Sequence, residues 1–374
     1  MAHPPGYPFF VALGRGFHAL GQSAYAAVQA ASLLFTLAAP PLLFLLFRRT
    51  CSLSDATLLT IAFAFSWNVL LLSRTGTSHA ADFASVSALL VLVTARNFRA
   101  GNFSLLALYG LAIVACAGLR FTTAIMMTPF FALVLFRHRR MAGLWITYAL
   151  AGLIIVIVQM MVIRLSGGWE PYSAYSRSMH LGNLQSSLLL SGINGATLLN
   201  LARTIGWWAL SVGLLAILPF MVPWKKIPPL TLNQRELLLY GGASALGCLG
   251  MSGLYLCTHP GYISAALPGT FACLAALLPF IARPAWKAGV FAFCIILDAG
   301  FFLLARPIAH PATPGQAAAN GLLLQYTGTG MKNSLFKTTS GWLRETGFDK
   351  LVPTHRRTDL DNEAALNPPS SPEP

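Results

Sequence analysis

Apolar residues come along this chain in long unbroken runs parted by short polar turns, without the two-residue alternation of a half-buried strand. The runs lie at about 27–47, 56–73, 80–95, 104–119, 121–136, 143–163, 205–223, 236–257, 262–282 and 285–305. About twenty apolar residues in helical form cross a bilayer with every backbone group satisfied internally. The pattern therefore predicts an all-α, polytopic integral membrane protein with about ten transmembrane helices. The runs near 80, 104 and 121 are short and predict tilted, broken or re-entrant segments. Residues 9–25 are only half apolar, interrupted by Arg15 and His18, and predict a helix lying in the interface. A second interfacial helix is expected over residues 185–201, within a long external loop at 165–204. Residues 1–306 thus make a transmembrane domain, and 307–374 a polar C-terminal tail that is partly disordered.

Composition agrees with the pattern. The chain of 374 residues is 56% hydrophobic and 10% charged, with a mean hydropathy of +0.64, whereas soluble domains carry about 25% charged residues. The net charge of +14 does not point to nucleic acid, because Lys and Arg stand singly or in short clusters at the ends of apolar runs, as topology determinants do. With Arg48-Arg49 inside and the runs alternating, twelve basic residues fall in inner loops and six in outer ones. That bias puts the N-terminal end outside. It also puts His3, His18, His79, His180, His259, Asp82 and Glu170 on the outer face, with His138 inside. The six cysteines form no CxxC and lie mostly within apolar runs, so they predict packing, with neither a zinc site nor a disulfide framework. Residues 1–8 do not pair a basic segment with an apolar one, so no cleavable signal peptide is predicted.

Only five acidic residues precede position 340: Asp55, Asp82, Glu170, Glu236 and Asp298. Asp82 opens a run, beside His79 and Arg74. A carboxylate there can take a proton from an attacking hydroxyl or help hold a divalent cation, with Arg74 pairing an anionic group. It can equally cap a helix, accepting from the first free amides. Neither His79 nor Asp82 belongs to a metal-spacing motif, and no cofactor is specified. Arg120 lies at an outer boundary, where its planar fork suits a phosphate at headgroup depth or simply snorkels to the interface. Glu170, Tyr172, Tyr175, Arg177 and His180 form a polar, aromatic loop that can act as a lid over a substrate or as an interfacial aromatic belt. His259 and Tyr262 flank a Pro-Gly terminator at another outer end and are further candidate contacts. Asp298 lies inside the last run, where a carboxylate is costly unless paired, and supports an alternative reading as a secondary transporter.

Three pieces of the chain resemble the GT-C fold glycosyltransferases that use lipid-phosphate sugars, in the group of protein mannosyltransferase-like and aminoarabinose transferase-like enzymes. The first is His3-Pro4-Pro5-Gly6-Tyr7-Pro8 with Leu13-Gly14-Arg15. The second is Ser78-His79-Ala80-Ala81-Asp82 leading into a span. The third is Gly118-Leu119-Arg120, with the later His259-Pro260-Gly261-Tyr262 and Leu267-Pro268. The resemblance covers about residues 1–305. It implies a multi-pass protein of the bacterial inner membrane that moves a sugar from a polyprenyl-phosphate donor to an acceptor glycan, lipid or protein at the external face. By the same resemblance Asp82 matches the family's second acidic position and Arg120 a donor-phosphate contact. The family's first span and the acidic residue after it would precede His3, so the resemblance implies a member lacking that segment and its general base. A non-catalytic membrane protein is the alternative that this gap favours.

Overall fold

A computed structural model describes residues 7–22, 24–74, 77–174, 176, 187–188, 192–224, 227–255, 260–281 and 284–304, without the side chains of Arg74 and a few others within those ranges. The described residues are helical, with no strand among them. Ala26–Phe47, Ala142–Leu165, Asn200–Met221 and Leu232–Leu254 are each long and apolar enough to cross a bilayer. Leu53–Phe65 and Trp67–Ser73 add a fifth crossing if the two bent helices count as one span. Four shorter apolar helices, Ala80–Val93, Phe103–Leu119, Thr128–Arg137 and Ala266–Phe280, pack among them. Many large apolar side chains face outward, above all on Ala142–Leu165, where Trp145, Leu150, Leu153, Val156 and Met160 are more than half exposed. A helix apolar all round and covered on one side only is suited to lipid as its surroundings.

Polar caps set several boundaries. Ser52 Oγ accepts from the Asp55 amide at 3.1 Å, and Asn102 Oδ1 accepts from the Leu105 amide at 3.1 Å. Thr231 with Gln234 and Asn194 with Thr197 form reciprocal capping boxes, which satisfy amides that would otherwise lack partners.

Several sequence expectations change at this level. The opening helix runs only over Pro8–Ala19, and a separate helix starts at Ala24. Pro8–Ala19 buries Phe10 and Gly14 and packs on Ala24–Phe47 and Phe103–Leu119, so it belongs to the bundle on one face. The run at 121–136 is split at Met127 into Phe121–Met126 and Thr128–Arg137. Of the interfacial helix expected over 185–201, residues 185–186 and 189–191 lie outside the described residues, and from Gly195 the chain forms a long helix that continues to Val212 and then tightens into a 3₁₀ segment, Gly213–Met221. The expected tail at 307–374 lies outside the described residues.

Side-chain contacts sort the helix termini into two sets. At one end, Arg49 Nη1 donates to Val91 O at 2.8 Å, Arg99 pairs with Glu236 at 2.6 Å, and His138 Nε2 meets the Tyr240 hydroxyl at 3.0 Å. Lys287 pairs with Asp55 at 3.1 Å at the same end. At the opposite end, Ser32 Oγ donates to Thr77 O at 3.1 Å, and Ser252 Oγ to Tyr262 O at 2.9 Å. Asp82 and Arg120 meet at that second end. Each of Ala80–Val93, Phe103–Leu119, Leu232–Leu254 and Ala266–Leu277 runs from one set to the other.

Candidate functional site

Asp82 lies in the first turn of Ala80–Val93, where neighbouring alanines, Ala80 and Ala81, let other helices approach. Its carboxylate does not cap its own helix. It turns across the bundle and takes three side-chain donors. Arg120 Nη1 bonds to Oδ2, Ser264 Oγ donates to Oδ2 at 2.5 Å, and Thr123 Oγ1 donates to Oδ1 at 2.6 Å. Asp82 is 1% and Arg120 2% exposed, so this is a buried ion pair with its acceptor oxygens filled.

Arg120 is delivered by a break in the helical run. Phe103–Leu119 ends at an extended Arg120, and Phe121–Met126 starts directly after it, which aims the guanidinium inward. Its Cζ lies 5.5 Å from the centre of the Tyr262 ring, a cation–π distance. The His79 ring meets the same Tyr262 ring edge-on at 5.4 Å between centroids. Two polar atoms here, Arg120 Nε and Thr122 Oγ1, are buried with no hydrogen-bond partner among the described residues. A buried donor without an acceptor is costly, and an anion beside Arg120 would satisfy it.

Next to this cluster, a narrow cleft opens between Pro8, Phe9, Gly118, Phe121, Ile155 and Gln159. Its volume is about 10 Å³, room for one water molecule and no more. Gln159 Nε2 on its wall donates to the Tyr172 hydroxyl at 2.7 Å, which ties the helical stretch 169–174 to the cleft. Burial pushes the Tyr172 phenol above its ordinary value, opposed by the Gln159 hydrogen bond, so it stays a neutral donor at physiological pH.

Of the residues singled out in the sequence, Asp82, Arg120, His79 and Tyr262 meet in one cluster, and Tyr172 borders the cleft beside it. Glu170 is exposed on the same stretch and forms no ion pair among the described residues. The Arg74 side chain, Tyr175, Arg177, His180 and His259 lie outside the described residues. Sequence reasoning did not name Thr123 or Ser264, whose hydroxyls complete the carboxylate's shell. A weak signal existed, since Thr123 lies three residues after Arg120 and Ser264 two after Tyr262, each beside an apolar run. Among the described residues no group of three His, Cys, Asp or Glu side chains is placed to hold a metal ion. No family model, no curated protein and no solved structure matches this chain.

Proposed function

We propose that this chain is a membrane glycosyltransferase of the GT-C kind, crossing the bilayer about ten times, that takes a polyprenyl-phosphate-linked sugar at its external face. One observation carries the reading. Three segments far apart in sequence bring His79 with Asp82, Arg120, and Tyr262 to a single end of the bundle, around a guanidinium whose Nε is unsatisfied among the described residues. Arg120 is the donor-phosphate contact, because its fork can hold two phosphate oxygens and remains charged at any physiological pH.

The resting arrangement ties this role to Asp82. A phosphate that binds Arg120 competes with the carboxylate for the same guanidinium and frees an oxygen of Asp82. The freed carboxylate accepts the proton of the acceptor hydroxyl as that oxygen bonds to the anomeric carbon. The bond from the anomeric carbon to the phosphate oxygen breaks, and the electron pair leaves with the phosphate, whose charge Arg120 stabilises. Because the cleft holds only one water, donor binding also requires Pro8–Ala19 or the 169–174 stretch to move aside.

A non-catalytic role is the second reading, favoured by the three donors already filling the Asp82 carboxylate. The two separate in a vesicle assay with the purified chain and a radiolabelled polyprenyl-phosphate sugar. The enzyme reading expects sugar release or transfer that Arg120→Lys, which keeps the charge but loses the fork, reduces at least about tenfold, in line with the loss of a transition-state contact. Absence of turnover, together with no thermal shift on adding polyprenyl phosphate, overturns it in favour of the non-catalytic one.

A further inference from the structure

Past the middle of the Pro284–Leu304 helix stands Asp298, which is 7% exposed. Among the described residues it is the one buried carboxylate with neither a hydrogen bond nor an ion pair, since Asp82 and Glu236 are held by arginines. Its oxygens are turned toward Gly213: an ideal Cβ on that glycine would lie 3.9 Å from Asp298 Oδ1, 4.0 Å from Oδ2 and 3.9 Å from Cys294 Sγ. Gly213 is where the Gly195–Val212 helix gives way to the 3₁₀ segment. Its backbone, at φ 58° and ψ −143°, is one that glycine alone holds without strain.

A second interruption faces the same level of the bundle. Leu53–Phe65 and Trp67–Ser73 meet at 54° around Ser66, whose Oγ donates to Ser211 O at 2.8 Å, two residues before Gly213. The Asp298 helix packs against both broken elements. A carboxylate in apolar surroundings is expensive unless a cation neutralises it, and backbone groups released where helices break are what membrane proteins use to replace a cation's hydration shell.

We propose that Asp298 and the two facing helix breaks form a site for a small monovalent cation, either a proton or a metal ion such as Na⁺, within the bundle and apart from the Asp82–Arg120 cluster. Few other charges compete there. Cys294 is the titratable neighbour on the same helix. Of the segments packed against it, Leu53–Phe65 carries only Asp55, paired with Lys287 toward the other end, and Gly213–Met221 carries none. Trp67–Arg74 ends in Arg74, whose side chain is outside the described residues.

The test uses the full chain in vesicles with a hydrophobic carbodiimide, which modifies only the protonated carboxylic acid, and maps the adduct by mass spectrometry across pH and Na⁺ concentration. The expected result is an adduct on Asp298 that is absent in Asp298→Asn. Loss of the adduct on raising pH, unchanged by Na⁺, identifies the proton as the occupant. Loss on adding Na⁺ at fixed pH identifies the metal ion. Thermal unfolding of the wild type and Asp298→Asn is measured over the same conditions. The site is overturned if no adduct forms on Asp298 and both proteins shift their melting temperature equally with pH and with Na⁺. The outcome is independent of the sugar-transfer assay, because Asp298 takes no part in the Arg120 cluster.

Discussion

Arg120 and Asp82 each bring a formal charge into the protein interior, and each is tolerable there only because the other is present. Removing one member of a buried pair leaves the other charged and uncompensated, at a cost of about 3–5 kcal/mol. Arg120→Gln and Asp82→Asn should each therefore lower unfolding stability in detergent by about that amount, while the double variant loses clearly less than the sum. Additive losses below about 1 kcal/mol each would mean that the pair does not tie the bundle together. The residues that complete the shell were harder to read in the sequence. A carboxylate or a guanidinium in an apolar chain announces itself by its rarity, but Thr123 and Ser264 are two hydroxyls among many. Only the approach of their segments to Asp82 gives them a role.

At the scale of elements, Leu232–Leu254 and Ala266–Leu277 show how small residues let two helices come into close backbone contact. Gly241 and Gly269 face each other so tightly that a Cβ on Gly241 would lie 2.7 Å from Gly269 O, and one on Gly269 would lie 2.5 Å from Gly241 O. Helices in lipid associate largely through such close packing of small residues, since there is little hydrophobic gain in leaving one apolar medium for another. Gly269→Val should lower the melting temperature well below that of Gly250→Val, whose position has nothing within 4 Å, with a cost of about 1–3 kcal/mol for forced overpacking. Equal melting of the two variants would show that this contact is not needed. The small-residue run Gly241-Gly242-Ala243-Ser244-Ala245 was visible in the sequence, but its partner Gly269 was not, because nothing local says which helix will lie against it.

The molecule as a whole carries two polar ends joined by apolar helices, with the Arg49, Arg99, Glu236 and His138 contacts at one and Asp82, Arg120 and Ser264 at the other. If these ends face opposite compartments, single cysteines at Trp169 and Arg139 in a cysteine-free background should differ in sealed vesicles. A membrane-impermeant maleimide should label one and spare the other until the vesicles are opened. Labelling of both from the same side would overturn the two-ended arrangement on which the function proposal rests.

By itself the amino-acid sequence determined the membrane setting, the helical class, the approximate limits of most apolar runs and the alternation of charge between the ends. Each of these depends on composition, helical length and local charge, which act within a single segment. Tertiary structure alone decided that Asp82 turns away from its own helix to meet Arg120, that the 56–73 run bends at Ser66, and that Asp298 faces Gly213 with no partner among the described residues. Those outcomes depend on which helices lie side by side and at what depth. That choice is fixed by packing between residues tens to hundreds of positions apart, and no periodicity within one run encodes it.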